Sequence, residues 1–257
     1  MSSLSVVSQS SITTKVVLIV LLCAALYGAY SYIRMRQLVD VGVGLVRSAT
    51  AYEQHPKGPA HRVLVLGDSS GFGVGATTPQ ESVAGRIGLR NPDTDITNIA
   101  VSGARLKDVP KQLTNARIQH DVKYDRIFLH IGGNDIVHGT SLSAMQVQLQ
   151  GVLEDIAPLS DDIVLIHGGN IGTAPFFPKI AQPYFTWKSK QARRLYLQVV
   201  GDDTRFTVLN LHPERALDPY AQEPHIYFAA DSFHPSSEGY RVWFEEIDRI
   251  GKAGFKK

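Results

Sequence analysis

The chain has 257 residues and is 44% hydrophobic, which is enough for one α/β domain plus an additional segment and excludes disorder as its main state. Its 26 basic and 24 acidic residues are spread along the sequence and give a formal net charge of +2. No long basic run of the kind that follows a phosphate backbone is present, so we expect no nucleic acid partner.

The first predicted element is a membrane-spanning helix near the N-terminus. Residues 1–14 form a polar tail rich in serine and threonine, and residues 15–35 contain an uncharged apolar run between Lys15 and Arg34. As a helix this run would reach about 27 Å, which is enough to cross a bilayer core. We interpret 15–35 as a retained single-pass anchor because its candidate cleavage sites are poor, with a cleaved signal peptide and a buried core helix as alternatives. The flanking charges do not predict which side of the membrane the rest of the chain faces.

Residues 36–60 connect this anchor to the folded domain. A helical stretch over 36–53 is followed by the helix-breaking segment His55-Pro56-Lys57-Gly58-Pro59, which is typical of a stalk and linker. We expect the anchor and stalk to supply location only, and the folded domain to occupy residues 61–257.

Within this domain, short apolar segments alternate with longer segments of helical periodicity. The predicted strands are 62–67, 95–101, 126–132, 162–168 and 206–211, and the predicted helices are 79–90, 106–120 with an interruption at Pro110, 142–152, 184–200 and 236–250. Strands interleaved with helices indicate an α/β fold with a mostly parallel sheet covered on both faces. Such sheets bind ligands at the carboxyl ends of their strands.

Polar residues cluster at these strand ends and before the last helix. A serine hydroxyl becomes a nucleophile only when an imidazole takes its proton, and the imidazole needs a carboxylate to orient it. Ser69, His234 and Asp231 can supply these three roles. Negative charge developing on an attacked carbonyl needs hydrogen-bond donors, which the backbone N–H groups of Ser69 and Gly103 and the amide of Asn134 can supply as an oxyanion hole.

At these residues the sequence resembles the SGNH hydrolase superfamily, also called GDSL esterases. The four blocks read GDSS at 67–70, NIAVSG at 98–103, GGND at 132–135 and DSFHP at 231–235. The resemblance implies the same roles for the five residues named above, a flavodoxin-like three-layer α/β/α fold, and no metal or organic cofactor. It also suggests a bacterial inner-membrane setting. Ser70 stands where the name-giving motif has leucine, a departure that bears on the substrate rather than on the mechanism.

Simpler interpretations exist for several of these residues. Ser69 and Ser70 can cap the helix that follows the first strand. The glycines of GFGVGA at 71–76 follow a strand, but neither a GxGxxG nor a GxxxxGK[ST] spacing is present, so a nucleotide loop is disfavoured. Asp68 and Asp135 are expected to brace their loops through backbone N–H groups.

Other histidines compete with His234 for the role of base. His212 also precedes a proline, but it follows a strand directly and has no acidic residue three positions earlier. His130 and His167 at strand ends are more typical of hydrogen-bonded structural histidines. No HExxH helix is present, and the single cysteine, Cys23, lies in the apolar run, so the sequence predicts neither a metal site nor an intrachain disulfide.

Residues 170–190 are rich in aromatic residues and proline just beyond the fourth strand. Two interpretations stay open for this segment: a lid or acyl-binding wall over Ser69, or a hydrophobic cap that completes the core.

The function predicted is hydrolysis of a carboxylic ester or thioester through an acyl-serine intermediate. A lipid, a short acyl ester and an O-acetylated sugar are the candidate substrates. The alternatives are an acyltransferase that uses the same acyl-enzyme and a catalytically silent binding module anchored in the membrane. The sequence does not predict the oligomeric state.

Overall fold

The structure is a computed structural model that describes residues 3–116, 118 and 122–255. Its strands are β1 (His61–Gly67), β2 (Thr94–Asn98), β3 (Arg126–His130), β4 (Ile163–Ile166) and β5 (Phe206–Val208). Its α-helices are α1 (Ser3–Ser48), α2 (Ser69–Phe72), α3 (Val83–Arg90), α4 (Val109–Asn115), α5 (Gly133–Val137), α6 (Leu142–Ile156), α7 (Gln182–Val200), α8 (Pro219–Gln222), α9 (Pro224–Tyr227) and α10 (Ser237–Arg249).

The strands form a parallel five-stranded sheet in the order β2-β1-β3-β4-β5. The strand β2 lies on one side of β1, and β3 to β5 follow on the other side, so the strand order reverses between β1 and β3. Parallel sheets bind ligands in the crevice at such a point, at the carboxyl ends of the strands. The predicted α/β fold with a parallel sheet is confirmed.

Alternating strand residues supply two separate hydrophobic cores. Leu64 and Leu66 of β1 pack with α4, α6 and α7 on one face, while Val63 and Val65 pack with α3 and α10 on the other. Side chains alternate across a strand, so a strand that is apolar throughout can be buried on both faces. The result is the three-layer α/β/α arrangement.

Two predicted helices differ from the observed ones for local reasons. Pro110 lies in the first turn of α4, where a missing N–H costs little, so it helps to start this helix instead of interrupting one. Residues 117 and 119–120 of that predicted helix lie outside the described residues. Pro79 starts a short 3₁₀ turn, and α3 then begins anew with Ser82 as its cap, accepting a hydrogen bond from the Gly85 N–H.

Helix α1 is continuous through the segments predicted as tail, anchor and first part of the stalk. Within the described part of the chain, it contains the one helix region, Thr13–Ser48, that is long and apolar enough to cross a membrane. The apolar run is exposed, whereas a stripe on the later turns is half-buried: Arg34, Met35, Leu38, Gly42, Leu45 and Val46. This spacing places one face of the helix against the domain. The division into tail, anchor, stalk and domain remains a prediction.

Gly67 permits the sharp exit from β1 on which the following loop depends. Its φ is +119°, and a Cβ atom added there would overlap the backbone of His130 in the neighbouring strand. Its N–H donates to Gln112 Oε1 at 2.9 Å, and its carbonyl accepts from Gln112 Nε2 at 2.6 Å. The Gln112 side chain of α4 thus binds both backbone groups of Gly67, the last residue of β1.

Replacing Gly67 by alanine is expected to lower the free energy of unfolding by about 3 kcal/mol or more, since backbone strain and overlap with His130 add together. Gly58→Ala is the matched control: its φ is +65°, but the space around it is open, so the loss should be only about 1 kcal/mol. Urea unfolding of both variants measures the difference, and equal losses would contradict the role of the β1–β3 contact.

Candidate active site

The segment after β1 presents Ser69 at the start of a short helix. Asp68 caps α2: its Oδ1 accepts hydrogen bonds from the Ser70 N–H at 2.9 Å and the Ser70 hydroxyl at 2.8 Å. The cap is therefore Asp68, and the interpretation of Ser69 or Ser70 as the cap is wrong. Ser69 is free to direct its hydroxyl elsewhere.

The hydroxyl of Ser69 meets His234, which follows Asp231 in a tight turn. His234 Nε2 lies 2.9 Å from Ser69 Oγ, and His234 Nδ1 lies 2.5 Å from Asp231 Oδ2. The other carboxylate oxygen of Asp231 accepts the N–H groups of Phe233 and His234, each at 3.0 Å. With Nδ1 donating to the carboxylate, Nε2 is the acceptor for the Ser69 O–H.

The turn that holds His234 is strained at one position. Ser232 has a φ of +59°, the left-handed region that non-glycine residues rarely adopt. Its N–H donates to Ala229 O at 2.8 Å, and its carbonyl accepts the Phe176 N–H at 3.0 Å. These bonds fix the turn in the conformation that directs Asp231 and His234 toward each other.

The charge on Asp231 is stabilised despite its burial. Burial by itself raises the pKa of this carboxyl, but the hydrogen bond and positive charge of His234 and the two backbone N–H groups lower it more, and the net pKa lies below the usual value. Asp231 is therefore ionised near neutral pH, as an orienting partner for an imidazole must be.

Two further residues named from the sequence follow β2 and β3 on the carboxyl side of the sheet. Gly103 has a φ of +82° with open space around it, and its loop is tied to β1 by the Val101 N–H, which donates to Gly67 O at 3.0 Å. The Asn134 amide donates to Ala104 O at 3.0 Å and lies at the start of α5 after β3. One amide hydrogen of Asn134 thus positions the side chain, and the second is available.

The structure places all five predicted site residues on the carboxyl side of the sheet. A family model described as "GDSL-like Lipase/Acylhydrolase family" matches residues 65–242. The chain belongs to this family. It is accordingly a carboxylic ester hydrolase.

Several solved structures share the fold of this chain. A member of the lipolytic protein G-D-S-L family from Veillonella parvula is 17% identical, with a TM-score of 0.61, covering 74% of this chain and 98% of its own. An acetylxylan esterase from Geobacillus stearothermophilus is 17% identical, with a TM-score of 0.55, covering 77% and 96%. An extracellular lipase from Streptomyces rimosus is 18% identical, with a TM-score of 0.54, covering 74% and 99%. No curated protein matches the chain.

The hydrolase has a cleft beside Ser69 that is partly open to solvent. Its walls come from most of the strand ends and from the segment before α10: Asp68, Ser69, Ser70, Gly133, Asn134, Gly168, Gly169, Asn170, Ile171, Thr173, Ala174, Leu211, Asp218, Tyr220, Phe228, Phe233, His234, Pro235 and Trp243. Asp218, Tyr220 and Trp243 were not expected from the sequence. No local motif marks them, since they reach the cleft only through tertiary packing.

The rival histidines of the hydrolase lie elsewhere. His212 stacks on His167 with 4.9 Å between ring centroids, and His130 stacks on Trp243. Burial lowers the pKa of His130 and His167 to about 3 and that of His212 to about 4, with nearby positive charge contributing for the latter two. These rings are neutral at physiological pH. Across the described residues, no group of three or more His, Cys, Asp or Glu side chains is arranged to hold a metal ion.

The aromatic segment 170–190 combines features of both interpretations. Its first residues, Asn170–Ala174, line the cleft, whereas Phe176 and Phe177 pack behind Phe233 with centroid distances of 5.5 and 6.1 Å. Phe177 also stacks on Phe185 of α7 at 3.9 Å. The aromatic pair therefore supports the cleft wall from behind instead of closing over Ser69.

Helix α1 contacts the site directly. A Cβ atom added at Gly42 would lie 3.1 Å from Asp231 Oδ2, so the helix backbone passes close to the carboxylate that faces His234. Arg34 Nη1 also donates to Phe176 O at 3.4 Å. The expectation that this helix supplies location only does not account for these contacts.

Replacing Asp68 by asparagine is expected to remove a pH-dependent loss of stability. Burial raises the pKa of Asp68 from 3.8 to about 6, against the opposing hydrogen bonds from Ser70. Between about pH 4 and about pH 6 the folded state therefore binds more protons than the unfolded state. The contribution of this carboxyl to the free energy of unfolding is complete below about pH 4 and is lost as the pH rises through about 6.

Asparagine keeps the acceptor for Ser70 without the titration. The free energy of unfolding is measured with urea at about pH 4 and about pH 7. Relative to wild type, the value for Asp68→Asn should be about 2 kcal/mol higher at about pH 7 than at about pH 4. The same exchange at the exposed Asp93 is the control. A difference between Asp68→Asn and wild type that is the same at both pH values would contradict the raised pKa.

Proposed function

We propose that the hydrolase cleaves a carboxylic ester or thioester with Ser69 as nucleophile, His234 as general base and Asp231 as the group that orients it. The observation that carries this proposal is the 2.9 Å contact between Ser69 Oγ and His234 Nε2, continued by the 2.5 Å contact to Asp231. This is the geometry that activated serine requires. Among the similar structures, catalytic mutants of the acetylxylan esterase carry alanine at a serine and at a histidine.

The first half of the proposed reaction forms an acyl-serine. Ser69 Oγ attacks the carbonyl carbon while its proton passes to His234 Nε2. The N–H groups of Ser69 and Gly103 and the free amide hydrogen of Asn134 stabilise the tetrahedral oxyanion. The carbon–oxygen or carbon–sulfur bond then breaks, and the leaving alcohol or thiol takes the proton from His234.

The second half restores the enzyme. A water molecule gives a proton to His234 Nε2 and attacks the acyl carbon, and the new tetrahedral species expels Ser69 Oγ, which recovers that proton. The products are a carboxylic acid and an alcohol or thiol. A lipid, a short acyl ester and an O-acetylated sugar are all consistent with a cleft whose walls combine apolar and polar side chains.

We further propose that α1 anchors the hydrolase in a membrane as a single span, with the catalytic domain outside the bilayer. The exposed apolar run between Lys15 and Arg34 supports this proposal. A bacterial inner membrane is the expected setting.

The nucleophile is tested by labelling the full chain with a fluorophosphonate and mapping the modified peptide. Label on Ser69 is expected, and Ser69→Ala should abolish it and lower kcat by about 10⁴- to 10⁶-fold with little change in thermal stability. Ser70→Ala is the matched control and should still be labelled at Ser69. A folded wild type that takes no label would favour the silent binding module.

The oxyanion hole is tested by Asn134→Ala. We expect kcat for a small ester to fall about 10²- to 10³-fold with KM nearly unchanged, because the amide is needed mainly in the transition state. Because Asn134 also donates to Ala104 O, the thermal midpoint is measured in parallel. An unchanged kcat in a folded variant would remove Asn134 from the proposed mechanism.

A further inference from the structure

Besides α1, residues 180–187, which follow the cleft-lining residues 170–174, expose large apolar and aromatic side chains. Ile180 is 81% exposed, Tyr184 is 50% exposed and Trp187 is 52% exposed, although each is a large apolar or amphipathic residue. Tyr184 and Trp187 contact each other with ring centroids 6.1 Å apart. Tyrosine and tryptophan are enriched at membrane–water interfaces, where one end of the ring is apolar and the other hydrated.

The charged side chains of this region are all basic. Residues 163–201 contain no acidic side chain, and basic residues flank the exposed aromatics: Lys179, Lys188, Lys190, Arg193 and Arg194. Lys179, Lys190 and Arg194 are exposed. A basic helix face that also carries aromatic side chains is typical of segments that lie on anionic lipid headgroups.

Contacts join this surface to the end of the apolar run of α1. Arg34, the first charged residue after that run, donates to Phe176 O. Phe176 contacts Phe177, which stacks on Phe185, and Phe185 contacts Tyr184 at 5.3 Å. Ile180 follows Phe176 by four positions, so their Cα atoms are at most about 14 Å apart. The exposed side chains are therefore within reach of the interface at which the proposed span ends.

We propose that Ile180, Tyr184 and Trp187, together with Lys190 and Arg194, form a docking surface for an anionic lipid bilayer. With α1, it makes a second point of membrane contact and fixes the orientation of the catalytic domain on the membrane. The cleft wall behind Phe233 then faces the lipid headgroups. This inference rests on the membrane anchoring proposed above and is independent of the catalytic roles.

Tryptophan quenching in vesicles tests the docking surface. The chain contains two tryptophans, Trp187 and the buried Trp243. The full chain is reconstituted into phosphatidylcholine–phosphatidylglycerol vesicles that contain a lipid with a nitroxide near the headgroup. We expect quenching of the wild type, and about threefold smaller quenching in Trp187→Phe, because Trp243 is inside the domain. Equal quenching in both proteins would overturn the proposal.

Surface variants separate lipid contact from other causes. Ile180→Ser combined with Tyr184→Ser should lower the quenching of Trp187 about twofold, as should Lys190→Gln combined with Arg194→Gln in anionic vesicles. Val147→Ser is the control, since Val147 is 69% exposed on α6 and lies outside the surface. Equal effects of the control and the Ile180/Tyr184 variant would contradict the assignment.

Vesicle flotation and aqueous quenching distinguish the remaining outcomes. A chain that does not float with the vesicles overturns the anchoring proposal and this inference with it. A chain that floats while Trp187 is unquenched by lipid and shielded from acrylamide has another protein or a second copy on this surface, which overturns this inference alone. Fluorophosphonate labelling of the same samples reports the proposed nucleophile separately.

Discussion

The contact between Ser69 and His234 joins residues 165 positions apart, and much of the structure serves to maintain it. The loop after Ser69 and the start of α10 are joined by two hydrogen bonds: the Tyr240 hydroxyl donates to Val74 O at 2.7 Å, and the Thr77 N–H donates to Ser237 Oγ at 2.9 Å. Gly75 lies where any side chain would overlap the carbonyl of Pro235. Buried hydrogen bonds and close backbone packing therefore hold the segment that carries His234 against the loop that follows β1.

Two buried carboxyl groups near this contact have net pKa shifts of opposite sign, although burial raises the pKa of both. Both Asp68 and Asp231 are almost inaccessible to water, yet burial dominates for Asp68, whose pKa rises to about 6, while the pKa of Asp231 falls. Hydrogen-bond donors and charge contribute to the difference: Asp68 accepts two hydrogen bonds from Ser70 and lies near Asp135, whereas Asp231 accepts two backbone N–H groups and an imidazole that can become positive. Donors that replace the lost water lower the pKa of a buried carboxyl.

The residues that sequence analysis identified are those whose role is local. Strand periodicity located the sheet, and polar residues at the strand ends located Ser69, Asn134 and the Asp231–His234 turn, because these follow from short patterns. Gln112 was missed: nothing in the pattern of α4 indicates that this side chain pairs with both backbone groups of Gly67. Pro110 was misjudged because the boundary between the turn at Leu106–Asp108 and α4 depends on tertiary contacts, including the Leu106 N–H, which donates to Asp135 Oδ2 at 3.0 Å.

Helix α1, the proposed membrane anchor, also packs beside the candidate active site. Periodicity indicated a helix in the predicted stalk, but the spacing of Met35, Leu38, Gly42 and Leu45 also places these residues on one face, and that face packs on the domain. Glycine at position 42 lets the helix backbone approach Asp231, where a larger side chain would press on the carboxylate. Since Asp231 orients His234 in the proposed mechanism, the element proposed to hold the enzyme in the membrane also forms part of the wall around its acid–base pair. In these proposals one helix has two parts: the exposed apolar run lies in the membrane, and the later turns pack beside Asp231.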